Sequence, residues 1–451
     1  MRPVYMISGG ITKFKKAHPD KDFRLMVKQA FDYAMNKVPN LTLEMIDGSV
    51  ASYFSDHFTR QLMAGIMVQD YLGLCPKPSK RIEGGGATGG LCFQAAWESI
   101  ASGRMNVCVA YGFETMSRVN TWKGNEFIAH ASDTNFDYPV GGFYTGYYAM
   151  MAQRHMHEFG TTVEQMALVS IKNHGNAQYN SYAQSPMKLT IEDVRSSAMV
   201  STPLTMLDIC AMSDGAAVAI LASEDMAQKL SDNPVRITGI GTGTDAMRMA
   251  DRPHGKVILL PHESAEDYKD LKYPGVHSFR GGRMASKLAY DMAGINNPLE
   301  ELDFVELHDA YTSSEIQTYE DMGLCKYGEG GRFIEEGYPF MPNIDYGINL
   351  PEGNPPIPPF NKGGLGGISP FSKGGRKRIP INPSGGLLAC GHPVGATGIM
   401  QAVFASWQLQ GTIKKHLGNE GLQLKNIKRG AIHSHAGTGT YITISILEKA
   451  S

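Results

Sequence analysis

The chain has 451 residues, with 42 Lys and Arg against 44 Asp and Glu, for a net charge of -2. At roughly 150 residues per domain this length predicts two or three domains, and the near balance of charge excludes the basic field that nucleic acid or anionic lipid would require. Six cysteines lie far apart with no CxxC pair, so neither a structural zinc site nor a disulfide framework is expected, and the chemistry predicted here uses no metal.

In chain order, the first strand, VYMIS from Val4, reaches a Gly-Gly pair too soon for the apolar core of a secretory signal. No run approaches the ~18 apolar residues of a membrane span, so a cytoplasmic protein is expected. The helical pattern RLMVKQAFDYAMNKV follows, then the strand region EMIDGSVAS, the glycine cluster IEGGGATGG, the helix GLCFQAAWESIASG and the strand NVCVAYG. Residues 119–200 are rich in Tyr, Met and His (GGFYTGYYAMMAQRHMHEF) and read either as a lid over a site or as a packed helix whose Met and Tyr are core. The second half runs through VRITGIG, FVELH, NPSGGLLACGHPVGATG, GIMQAVFASWQLQG and TYITISIL. Strands alternating with amphipathic helices imply α/β layers around a buried sheet.

The chain also resembles itself. GATG opens a helix at Gly86 and again at Gly395, VYMISGG at Val4 matches VRITGIG at Val235, and EMIDGSVAS matches DFVELHDAY. These pairs predict two copies of one module, 1–234 and 235–451, whose glycine-rich helix starts face each other. Two stretches break the repeat: 119–200, and the Pro/Gly-rich 351–378 with its PFNKGG/PFSKGG pair, whose composition predicts an exposed insertion without packed structure.

Gly84, Gly86 and Gly89 spell GxGxxG, but this stands after a strand and two helical stretches rather than at the first strand-to-helix turn, which argues against a dinucleotide site. What remains is a helix start with bare backbone, able to present N–H groups to an anion or oxyanion. Three histidines mark further candidates: His308 at the end of FVELH, His392 in the glycine-rich turn, and His435 in HSHAGTGT. Ligands gather at the strand ends of such sheets, and three imidazoles there point to proton transfer.

At NPSGGLLACGHPVGATG (382–398) the sequence is similar to the C-terminal signature of the thiolases. VELHDAYT resembles the HDCF segment of sterol-carrier-protein-type thiolases, AYGFETMS (110–117) the strand after the nucleophile helix, and PLTMLDICAMSDGAA (203–217) a further family stretch. The resemblance covers nearly the whole chain. It implies two βαβαβαββ halves in a five-layered αβαβα fold, a homodimer or larger, and carbon–carbon bond chemistry beside an acyl-CoA thioester. CoA then serves as substrate and product, and no cofactor is tightly bound. By the same resemblance, His392 would activate the nucleophile and border an oxyanion hole, His308 would position a water or the thioester oxygen, and His435 would replace an acid/base Cys. Gly86, Gly437 and Asn382 fall at oxyanion or substrate-binding positions, and GLCKYGEGGRF (323–333) resembles members that work with a small zinc-ribbon, OB-fold companion subunit. That branch includes archaeal acetoacetyl-CoA thiolases and a benzoylsuccinyl-CoA thiolase.

The family's nucleophilic Cys aligns with Gly86, which carries no side chain. Cys92 is displaced by about 9 Å and some 240° around the helix, leaving Cys390, two residues before His392, as the substitute thiol. Without a thiol, backbone N–H groups near Gly86 with His392 and His308 can still hold a thioester enolate, each donor being worth ~3 kcal/mol in the transition state. Three readings follow. CoA attacks a 3-ketoacyl-CoA directly and His435 protonates the enolate; or a His or Tyr311 starts retro-aldol cleavage of a 3-hydroxyacyl-CoA; or the chain is an inert scaffold.

Overall fold

The structure is a computed structural model that describes residues 1–253, 255–271, 275–348 and 378–450. Apart from Arg378, the stretch 351–378 predicted as an insertion lies outside the described residues. Nine strands form one hydrogen-bonded sheet: β1 Val4–Ile11, β2 Gly48–Ser52, β3 Ser79–Ile82, β4 Val107–Thr115, β5 Asp214–Ser223, β6 Val235–Thr244, β7 Phe304–Glu306, β8 Arg429–Ala436 and β9 Tyr441–Lys449. Their order is β3-β2-β4-β5-β1-β6-β9-β8-β7. Read outward from the β1–β6 junction, each half begins with two antiparallel pairings, β1–β5–β4 and β6–β9–β8, and ends in a parallel wing, β4–β2–β3 and β8–β7. The matched segments VYMISGG and VRITGIG lie side by side there, joined by only three residue pairs, Val4–Ile237, Tyr5–Arg236 and Met6–Val235.

The first half supplies five strands and the second four. The strand that would answer β3 is reduced to a single parallel bridge between Val305 and Ile381. Pro380, cyclic and without an N–H, stands just before it and accepts from Val305 N (3.0 Å). This remnant leads into Asn382, much as β3 leads into the glycines at 84–86.

Two helices lie between the halves, α3 (Thr88–Ala101) and α8 (Val394–Gln410). From α3, Cys92 Sγ donates to Val50 O of β2 (3.3 Å) while Gln94 Nε2 donates to Ile444 O of β9 (3.0 Å). On α8, Gly395 O accepts from Ser52 of β2 (2.7 Å) and Gln401 accepts from Ser434 of β8 (3.3 Å). The duplicated GATG motifs bring these helices together: a Cβ on Gly89 would lie 2.7 Å from Gly398 N, so only glycine allows the approach. Both wings are therefore covered on their inner face by the same helix pair. All eight residues of β1 and all ten of β5 are buried, the near-continuous apolar run expected of strands covered on two sides.

Outside the first wing lie α1 (Phe23–Asn36), capped by Asp22 and burying Phe23, Met26, Val27, Ala30, Phe31 and Ala34 at helical spacing, and α2 (Ala64–Tyr71). Outside the second lies α6 (Arg280–Ala293), against which the alternate glycines 239, 241 and 243 of β6 leave room for the carbonyls of Ala289, Ala285 and Gly281. The result is five layers, αβαβα, as expected. Among the described residues no helix is long and apolar enough to cross a membrane, and no group of three or more His, Cys, Asp or Glu is placed to hold a metal.

Candidate active site

Three of the predicted histidines meet where the wings and the central helices converge. The ring of His308, just past β7, lies 5.0 Å from that of His392, edge to face at 88°, and 5.4 Å from that of His435, nearly parallel at 21°. His308 and His435 are buried, and His392 is the most exposed of the three. Burial disfavours the charged imidazolium. It holds His392 at about 3, and holds His308 and His435 well below the ordinary range, with neighbouring imidazoles adding to the effect. All three are neutral bases at pH 7.

Hydrogen bonds fix which nitrogens are bare. Thr397 donates its hydroxyl proton to Pro393 O (3.0 Å), so at His392 Nδ1 (2.8 Å) its oxygen accepts; Nδ1 carries the proton and Nε2 is a free base. At His435, Nε2 faces both the Tyr148 hydroxyl (2.8 Å) and Gly437 O (3.2 Å), while that hydroxyl donates to Gly437 O (2.9 Å). A carbonyl only accepts, which places the proton on Nε2 and leaves Nδ1, buried and without a partner among the described residues, as the bare nitrogen. Two imidazoles thus each present one lone pair inside a desolvated site.

The remaining predicted residues divide. Gly86 sits beside this cluster: a Cβ there would fall well inside 3.0 Å of the His435 carbonyl oxygen and 3.3 Å from His308 Cε1. The position that would bear the thiol is filled by the β8 backbone. Gly437, at φ +63°, turns the chain after His435 so that its carbonyl receives the Tyr148 and His435 protons. Tyr311 stacks on Tyr148 with ring centroids 4.1 Å apart and shares a hydrogen bond with Thr145 Oγ1 (3.2 Å); burial raises its phenol, so it is a weak acid and not a ready base.

Asn382 does not face the imidazoles through its amide. Its Oδ1 accepts from Leu307 N (2.7 Å) and its Nδ2 donates to Glu315 (3.0 Å), so it positions the backbone that carries His308. Cys390 is fully buried in the turn 386–390, its Sγ accepting from Asn180 Nδ2 (3.5 Å), and burial together with Glu306 pushes the thiol up. That environment suppresses the thiolate a nucleophile needs and argues against the substitute role expected of it.

Three contributors were not singled out from the sequence. Tyr148 comes from α4 (Tyr144–Phe159), in the stretch without a counterpart in the second half. His433, two residues before His435 on β8, accepts from His308 N (3.2 Å). Behind His308, Lys172 of α5 (Val163–Ala177) pairs with Glu315 of α7 (Thr312–Asp321) at 2.9 Å. Asn173 donates to Glu315 (2.8 Å) and to Asp309 (2.6 Å), and Asp309 in turn receives Leu387 N (2.6 Å). This buried network ties the His308 strand end to the turn that delivers His392. The motif HSH pointed to His433 and the Tyr-rich stretch 119–200 to the region of Tyr148, while Lys172 reaches the site by long-range packing.

Two halves of one α/β module, closed around a pair of helices with imidazoles at their mouths, agree with what the sequence matches. Residues 4–225 match the family described as "Thiolase, N-terminal domain", and residues 264–349 and 369–449 match "Thiolase C-terminal domain-like". The chain belongs to the thiolase family. It is 33% identical to an acetyl-CoA acetyltransferase of Methanothermobacter thermautotrophicus over the full length of both chains. It is 28% identical to the benzoylsuccinyl-CoA thiolase subunit BbsB of Thauera aromatica, over 97% of this chain and 95% of that one. Among solved structures, the Ltp2-ChsH2(DUF35) aldolase shares its fold, with a TM-score of 0.74 at 22% identity, covering 99% and 98% of the two chains.

Proposed function

We propose that this chain makes or breaks a carbon–carbon bond beside a CoA thioester, as an acyltransferase of the acetyl-CoA acetyltransferase kind acting on 3-ketoacyl-CoA, and does so without an acyl-enzyme. The observation that carries this reading is position 86, which has neither a thiol nor space for one next to three neutral imidazoles. The names of the relatives support the reaction class. His392 Nε2 takes the proton of the CoA thiol and the thiolate attacks the 3-keto carbon. The C2–C3 bond breaks, its electron pair moves into the thioester carbonyl, and the enolate is protonated at C2 with the proton drawn from the thiol. His308 and the backbone at Gly86 face the position where that enolate oxygen would form.

A second reading is favoured by the Tyr148–His435–Gly437 arrangement, which leaves His435 Nδ1 bare. This base can remove the hydroxyl proton of a 3-hydroxyacyl-CoA; the C2–C3 bond then breaks to give a carbonyl product and an enolate, which takes that proton at C2 to become an acyl-CoA, with no second CoA required. The solved aldolase has the same fold. We place both reactions in a cytoplasmic dimer or larger assembly built on halves divided near residue 234, with 119–200 covering the site. A small companion subunit belongs to the proposal, supported by the ChsH2(DUF35) component of the solved aldolase.

Assaying 3-keto- and 3-hydroxyacyl-CoA panels with and without free CoA, and with and without a companion subunit, separates the readings. Acyltransfer consumes CoA mole for mole and yields two thioesters. Aldol cleavage proceeds without free CoA and yields an aldehyde or ketone. Absence of turnover on both panels would reject the enzymatic reading in favour of a scaffold.

A further inference from the structure

Next to the catalytic cluster, beyond Gly437, the structure contains a small cavity of about 10 Å³ walled by Asp137, Tyr144, Tyr147, Met247, Met249 and Thr440. It adjoins the turn that follows His435: a Cβ on Gly437 would lie 2.6 Å from Thr440 Oγ1 and 3.6 Å from the Tyr144 hydroxyl. Two of its walls carry hydroxyls, Tyr147 and Thr440, that are buried and make no hydrogen bond among the described residues. Tyr147 is only 9% exposed.

Buried hydroxyls without partners are unfavourable, and two on one cavity at the edge of a reaction centre describe a polar subsite left open for something else. The volume fits one water-sized group. Met247, half exposed, and Met249 form a flexible apolar wall. Asp137, paired with Arg248 at 3.6 Å, disfavours a second anion there.

We infer that this cavity receives a neutral oxygen, hydroxyl or oxo, on the acyl chain of the substrate, so that the enzyme selects oxygenated acyl-CoA thioesters through Tyr147 and Thr440. The inference rests on the reading of the adjoining cluster as an acyl-CoA site.

Calorimetry with acyl-CoAs that lack a 3-oxygen, and so undergo no cleavage, tests it apart from catalysis. Octanoyl-CoA would be compared with its hydroxy and oxo derivatives at carbons 5 to 7, using the full chain with any companion subunit it requires. At least one derivative should bind about tenfold or more tighter than octanoyl-CoA. Tyr147→Phe and Thr440→Val should each remove about tenfold of that advantage while leaving octanoyl-CoA affinity unchanged. Equal affinity across the series, or an advantage that survives both substitutions, would overturn the subsite and leave the acyl-CoA reading standing. Failure of every acyl-CoA to bind would overturn both.

Discussion

Restoring the missing nucleophile should fail. In Gly86→Cys the new Cβ would stand well inside 3.0 Å of the His435 carbonyl oxygen, where ordinary contact begins at 3.4 Å. The obstacle is backbone of β8, which cannot rotate away as a side chain would. Either β8 or the start of α3 must shift by about half an ångström or more, and overpacking of this kind costs about 1–3 kcal/mol. The strain falls on the residue whose ring stacks 5.4 Å from His308, so the imidazole geometry is lost with it. Gly86→Cys should therefore lower Tm by a few degrees, reduce turnover rather than raise it, and carry no acyl group after incubation with acyl-CoA. Gly86→Ala should show the same thermal loss without the thiol. A Gly86→Cys protein with unchanged Tm that accumulates an acyl thioester at residue 86 would refute the reasoning.

Tyr148→Phe removes the hydroxyl between His435 Nε2 and Gly437 O, and should lower kcat by about 10- to 100-fold, the equivalent of its two neutral hydrogen bonds, with circular dichroism unchanged. The pH profile should lack the acid limb usual for histidine catalysis. An imidazole whose folded value is depressed gains its proton only as pH falls through that value, about 3 for His392, so kcat/KM should show no inflection near 6.5 between pH 5 and 8; an inflection there would contradict the assigned protonation. Cys390→Ala should keep turnover within about twofold while losing some thermal stability, since its Sγ is packed and its thiolate suppressed.

The local motifs carried much of this site. His308, His392 and His435 stood in short segments rich in glycine or at strand ends, and the duplicated GATG announced that two helix starts would meet; the contact of Gly89 with Gly398 is that meeting. What the sequence left open depends on direction and distance. Asn382 lies in the signature, yet at φ +53° it turns its amide onto Leu307 N and Glu315, a fact of backbone geometry that no spacing displays. Cys390 is near His392 in sequence but aims at Asn180. Tyr148 belongs to a segment absent from the second half, so comparison of the halves offered no template for it. The repeat also overstated the symmetry, because the answer to β3 is one bridge at Ile381.

Intact-protein mass spectrometry during steady turnover of a 3-keto- or 3-hydroxyacyl-CoA tests the absence of a covalent intermediate most directly. Products should accumulate while the protein mass stays that of the unmodified chain at every quench time. A transient mass increase equal to the acyl group, mapped to any cysteine, would contradict it.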